Sequence, residues 1–161
     1  MIAIRRGLLD DMLAEGRRTL PLETGGVLMG YATDACITVT AVIGPGPRAV
    51  HRRHSFEPDA EWQQAKVAEL YERSGRTDSY LGDWHTHPNG TTRLSFRDWL
   101  AALRIASYRD ARCPNPLMVV LALRDEEVSV GSYRWQRRIL RPMETVVLQR
   151  LRNPAPSRSK S

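Results

Sequence analysis

The chain of 161 residues is 42% hydrophobic and 26% charged, the make-up of one globular domain long enough to close its own core. No apolar run approaches the roughly 20 residues of a membrane span, and the acids and arginines of MIAIRRGLLDDMLAEG interrupt any secretory signal. The formal charge of +6 belongs largely to the end of the chain, where Arg150, Arg152, Arg158 and Lys160 have no acidic neighbour; setting them aside leaves 20 basic against 18 acidic residues, which argues against a nucleic-acid-binding protein.

Leu8, Leu9, Met12 and Leu13 lie at helical spacing within residues 6 to 19, and Pro21 stops that helix. GGVLMGYA at 25 to 32 and CITVTAVIG at 36 to 44 read as a β-hairpin. The Gly- and Pro-punctuated GPGPRAVHRRHSFEPDA reads as an irregular connection. A second helix is expected from about Asp59 to Arg73, then a strand, YLGDWHTH, at 80 to 87. Phe96, Trp99, Leu100 and Leu103 predict a third helix beginning near Ser95. PLMVVLALRD and EVSVGSYRW follow as two strands, and METVVLQRL is a strand or a short helix. The fold class is therefore α+β, with helices around a mixed β-sheet. A single domain is expected over residues 1–150, with 151–161 (LRNPAPSRSKS) a basic disordered tail. Cys36 and Cys113, far apart and without a CxxC, suggest reduced thiols in a cytoplasmic protein.

The chemistry concentrates in His85-Thr86-His87-Pro88, followed ten residues later by Asp98, with Ser95 three positions before it. On a strand, residues i and i+2 face the same way, so His85 and His87 can present two imidazoles to one point. If the next loop folds back, Asp98 in the first helical turn can add a carboxylate. Two histidines and one carboxylate leave a position open on zinc, the pattern of a catalytic rather than a structural site. Glu23, between the first helix and the first hairpin strand, is placed to move a proton between the attacking water and a leaving amine. Ser95 can donate to a developing oxyanion. Taken alone, each has a plainer reading: an HxH pair is usually half-buried polar surface, and Ser95 with Asp98 also makes a capping box. The order and spacing of all four elements favour the site.

Glu23, the HxHP of 85 to 88 and the SxxD of 95 to 98 resemble the JAMM pattern of the JAB/MPN metalloprotease family, and the element order is similar over roughly residues 1 to 150. The resemblance implies a JAB/MPN-like (cytidine-deaminase-like) fold and one Zn2+ held by His85, His87 and Asp98, with Glu23 and Ser95 catalytic. It implies an isopeptidase acting on a ubiquitin-like (β-grasp) modifier joined to an amine. GPGPRAVHRRHSFEPD and YLGDWHTHP are similar to short bacterial JAB proteins, some of which serve antiphage (CBASS) operons and remove conjugates from a nucleotidyltransferase. Other bacterial relatives process the C-termini of sulfur-carrier proteins, and a non-catalytic module that binds a ubiquitin-like protein is a further alternative. His51 and His54, in a basic segment with no helical register, are expected to be structural or surface residues, and Arg52 and Arg53 could meet the substrate tail.

Overall fold

The structure, a computed structural model, describes residues 1–149. The expected basic tail therefore lies outside the described residues. The chain opens with a strand, β1 (Ile2–Arg5), and runs directly into α1 (Arg6–Thr19), whose apolar stripe buries Leu9, Met12 and Leu13. The hairpin follows as β2 (Gly25–Ala32) and β3 (Ile37–Ile43). The connection expected to be irregular contains a short antiparallel hairpin, β4 (Val50–Arg52) and β5 (Ser55–Glu57). Asp59 caps α2 (Ala60–Arg73) by accepting from the Trp62 amide. Then come β6 (Ser79–His87), α3 (Phe96–Ser107) and a 3-10 turn (Arg109–Ala111). Four strands finish the domain: β7 (Leu117–Arg124), β8 (Glu127–Gln136), β9 (Ile139–Met143) and β10 (Thr145–Leu148).

Eight strands make one mixed sheet in the order β10-β1-β3-β2-β6-β7-β8-β9. Only Glu144 separates β9 from β10, so one run of chain supplies both edges of the sheet and brings them round towards each other. Thr145 Oγ1 donates to Ser132 Oγ of β8 at 2.7 Å across that closure. One face carries α1 against Ile2, Ile4, Leu28, Val39, Trp84 and the odd-numbered residues of β7. On the other, α2 covers Val27, Met29 and Ile43, while α3 covers Met118 and Val120. With both faces covered, LMVVLAL is an unbroken apolar run rather than an alternating one. The ambiguous METVVLQRL resolves as strand because Thr145–Leu148 pairs in parallel with Ile2–Arg5.

The antiparallel pairing of β2 with β6 sets Gly25 opposite His85 and Gly26 opposite Trp84. Two glycines occur here because the neighbours leave no room for a side chain. A Cβ on Gly26 would sit 1.9 Å from the Ile43 carbonyl oxygen, and one on Gly25 would sit 2.3 Å from that of Trp84. Gly7, at the start of α1, meets nothing within 4 Å. Urea denaturation should therefore show Gly26→Ala destabilised by roughly 2–4 kcal/mol, the scale of forced overpacking with backbone displacement. Gly7→Ala should be stabilised by about 0.5–1 kcal/mol through helix propensity.

Candidate metal centre and cleft

The chemistry-bearing residues gather where β6 ends. His85 and His87 share a face of β6 and are buried at 9% and 7% exposure, on one edge of a cleft of about 950 Å3. After His87 the chain turns: the Gly90 amide returns to the His87 carbonyl at 3.2 Å, and Gly90 takes the left-handed φ of 74° that the turn needs. Tyr133 Oη donates to the Thr92 carbonyl at 2.9 Å, fastening this loop to β8. The chain so folded delivers Ser95 to the N-cap of α3. Its Oγ accepts from the Asp98 amide at 3.3 Å while the Asp98 carboxylate accepts from the Ser95 amide at 2.5 Å. The capping box thus orients the very carboxylate that turns towards the histidines. It uses Ser95 Oγ as an acceptor, and the hydroxyl also carries a proton that it can donate.

His85 Nε2 lies 3.0 Å from His87 Nε2 and 3.1 Å from Asp98 Oδ1, and His87 Nε2 lies 3.7 Å from Asp98 Oδ2. Atoms bound at 2.0–2.1 Å around a tetrahedral centre stand roughly 3.3 Å apart; the 3.0 and 3.1 Å separations at His85 Nε2 are close to that, and one ligand atom from each of the three residues lies within 4.8 Å of the others. His87 Nδ1 is 2.8 Å from the Thr91 carbonyl, which can only accept, so Nδ1 carries the proton and Nε2 presents its lone pair to the cluster. Burial, reinforced by the neighbouring His85, holds His87 below its usual pKa and keeps it neutral. Burial works against the charge on Asp98, but the His85 hydrogen bond and charge together with the Ser95 bonds hold it well below the ordinary carboxylate range. The donor set suits a divalent ion that accepts nitrogen and oxygen ligands, and all three residues line the cleft.

Glu23 comes from the segment just before β2. The Thr86 amide donates to the Thr24 carbonyl at 2.8 Å and the Thr24 amide to Thr86 Oγ1 at 3.0 Å, so the segment before β2 continues alongside β6. With Gly25 opposite His85, Glu23 falls on the same side as the histidines and lines the same cleft. Burial raises the Glu23 pKa, Asp98 adds to the rise, and His85 and Arg97 oppose it. Glu23, His85, His87, Ser95 and Asp98 are thus brought together around one cleft.

Glu23 is held by groups far from it in sequence. Its amide donates to the Arg52 carbonyl at 2.8 Å, and His51 Nδ1 donates to its carbonyl at 3.0 Å. Both partners belong to β4. The hairpin's other end accepts from Arg97 Nη1 through the His54 carbonyl at 2.9 Å, which ties it to the first turn of α3. The hairpin therefore bridges the two elements that carry Glu23 and Asp98. Among the described residues His51 and His54 form no metal cluster, and Arg52 pairs with Glu57 at 2.6 Å. Asp83, two residues before His85, also lines the cleft; burial raises its pKa to about 6 despite a 2.7 Å hydrogen bond from Tyr80 Oη.

A profile described as prokaryotic homologs of the JAB domain matches residues 5–138. The chain belongs to the prokaryotic JAB family. It is 42% identical over 123 residues to a protein of Sinorhizobium fredii named probable metalloprotease y4qB, a match that covers 75% of each chain. It is also 36% identical over 76 residues to a CD-NTase/cGAS isopeptidase of Escherichia coli and over 81 residues to one of Vibrio cholerae. These two matches span about half of the relatives, 49% and 52% of their lengths, and 47% of this chain. The solution structure of a Desulfitobacterium hafniense protein shares the fold, with a TM-score of 0.69 at 20% identity over 94% of this chain and 95% of that one.

If His51 holds the Glu23 backbone, its removal should act on turnover rather than on metal content. If Glu23 takes part in the reaction, His51→Ala should lower kcat by about ten- to a hundredfold, the scale of a small misplacement of a reacting group, with bound metal unchanged. His51→Asn, whose amide N–H can replace Nδ1–H, should recover most of the loss.

Proposed function

We propose that this JAB-family enzyme is a zinc-dependent isopeptidase that cuts a ubiquitin-like, β-grasp modifier from an amine on its target, and that it serves a bacterial antiphage conjugation system with a nucleotidyltransferase as target. The observation that carries the proposal is the convergence of the His85 and His87 imidazole nitrogens and the Asp98 carboxylate on an open cleft that a second carboxylate, Glu23, also lines. The names of the Escherichia coli and Vibrio cholerae relatives support the substrate class.

In this proposal His85, His87 and Asp98 hold the zinc, which when bound supplies a Lewis acid for the carbonyl and lets water ionise near neutral pH. The remaining steps fall to the protein. The Glu23 carboxylate accepts a proton from the attacking water and hands it to the nitrogen of the leaving amine as the C–N bond breaks. Its raised pKa favours the first transfer, because a partly desolvated carboxylate is a stronger base than an exposed one. The Ser95 O–H donates to the oxygen that gains charge as the carbonyl becomes tetrahedral. The capping box fixes that hydroxyl and the Asp98 carboxylate in one rigid turn.

The test is cleavage of a fluorogenic peptide in which a Gly-Gly carboxyl is joined to a lysine Nε. Glu23→Gln should keep its zinc and lose at least about a hundredfold in kcat, whereas His87→Ala should lose both zinc and cleavage. Glu23→Gln protein that cleaves normally would contradict the mechanism, and wild-type protein that cuts only a C-terminal α-peptide extension would assign the enzyme to precursor processing. The pH profile provides a second check. Activity needs Glu23 ionised, so it falls as the pH drops through the Glu23 pKa, above the ordinary glutamate value of about 4.3. Arg97 lowers that pKa, so Arg97→Gln should move the acid limb to higher pH.

A further inference from the structure

Charge is segregated in this fold. Leaving aside Asp98 with the two histidines, every ion pair among the described residues lies between Arg6 and Arg76. Six arginines that take part in none of them, Arg109, Arg112, Arg134, Arg137, Arg138 and Arg141, collect around the end of the sheet where β7 begins and β8 turns into β9. Asp110 is the one acid in the two segments that carry them, 108–116 and 134–141.

Three features there work against stability. Arg134 and Arg141 stand directly opposite each other in the β8–β9 ladder, a like-charge pair on one face. The two-residue loop between those strands is Arg137-Arg138 with φ of 50° and 66°, and Arg112 has φ of 48°, a backbone region in which Gly or Asn usually stands. Arg134 Nε is buried without a hydrogen-bond partner. Local costs that coincide at one place point to a site shaped for something other than stability. An open pocket of about 470 Å3 lies between these residues, lined by Asn115, Gln136, Arg137 and Arg141, and Ile139 is 54% exposed in the same hairpin.

We propose that this end of the molecule is a docking surface for a folded protein partner that presents clustered carboxylates. Guanidinium groups pair with carboxylates through two parallel N–H donors, and the two amides beside them can donate or accept. An exposed isoleucine among arginines, with no lysine in the patch, matches the composition of a protein interface. A nucleic-acid track would run along a basic stripe with several aromatic platforms set among the cations, whereas of the two aromatics in these segments Tyr108 is exposed and Trp135 is buried. The surface also connects with the cleft: Trp99 of α3 donates from Nε1 to the Arg138 carbonyl at 3.1 Å, and Arg104 of the same helix lines the cleft. The proposal deepens the isopeptidase reading, on which it rests for the identity of the partner as part of the conjugate; the binding itself needs no turnover.

The experiment is an NMR titration of the zinc-loaded full chain with an octaglutamate peptide at low salt, following backbone amides and arginine Nε–H signals. Saturable shifts should concentrate in residues 112–115 and 134–141. Arg137→Glu/Arg141→Glu should weaken binding by about tenfold or more. Arg17→Glu/Arg73→Glu, with the same change in net charge, should stay within about twofold. Shifts spread over all exposed arginines, equal losses in the two double variants, or no binding would overturn the proposal. So would a short DNA duplex that binds the same residues more tightly than the peptide, which would assign the surface to nucleic acid. Cleavage of the Gly-Gly-lysine peptide, measured alongside, should be unchanged in Arg137→Glu/Arg141→Glu, so that failure here is distinguishable from failure of the enzyme mechanism.

Discussion

The pairing of Gly25 with His85 is the constraint on which the site depends. Antiparallel neighbours that stand directly opposite share a face, so this one register puts Glu23 on the same side as His85 and His87. A slip of one residue would send Glu23 to the α1 face and leave the histidines without a basic partner. The register is secured by the reciprocal bonds between Thr24 and Thr86, both fully buried, and by glycines that admit no other strand spacing. Because β6 lies between β2 and β7, with covered sheet on both sides, its end is a rigid platform rather than a loop.

On that platform the polar groups are arranged so that each one's proton state follows from its neighbour. The Thr91 carbonyl fixes the His87 tautomer, and the Ser95 bonds keep Asp98 ionised despite its burial. Glu23, buried without a comparable set of donors, is left with a raised pKa. The two carboxylates of the cleft are thus shifted in opposite directions, Asp98 down and Glu23 up. The β4–β5 hairpin sets the spacing between them, since it bonds to the Glu23 backbone on one side and to Arg97, the neighbour of Asp98, on the other.

Local rules made much of this legible. The period of Leu8, Leu9, Met12 and Leu13, the alternation that aligns His85 with His87, and the Ser95–Asp98 capping box all depend on residues close in sequence, and each appears in the structure where its pattern puts it. What stayed hidden depends on distant partners. IAIR is too short to show a period and becomes a strand because it lies between β3 and β10. The strands of the β4–β5 hairpin are too short to show a period and sit among prolines and arginines. His51 was expected to be structural or surface, and which group it holds stayed hidden because the Glu23 carbonyl is 28 residues away. The HSFEP that follows His51 held a weak signal, since Phe56 stacks near His51 and packs over Gly25, but no short-range rule extracts it.

The central claim is that His85, His87 and Asp98 form one open metal site in the native protein. X-ray absorption at the zinc edge, on protein loaded with one equivalent of zinc, reads the coordination shell directly. The account predicts two imidazole nitrogens and oxygen ligands only, at about 2.0–2.1 Å in a four-coordinate shell, with the imidazole signal lost in His87→Ala. A shell that contains sulfur, four protein nitrogens, or the six waters of weakly held zinc would contradict it.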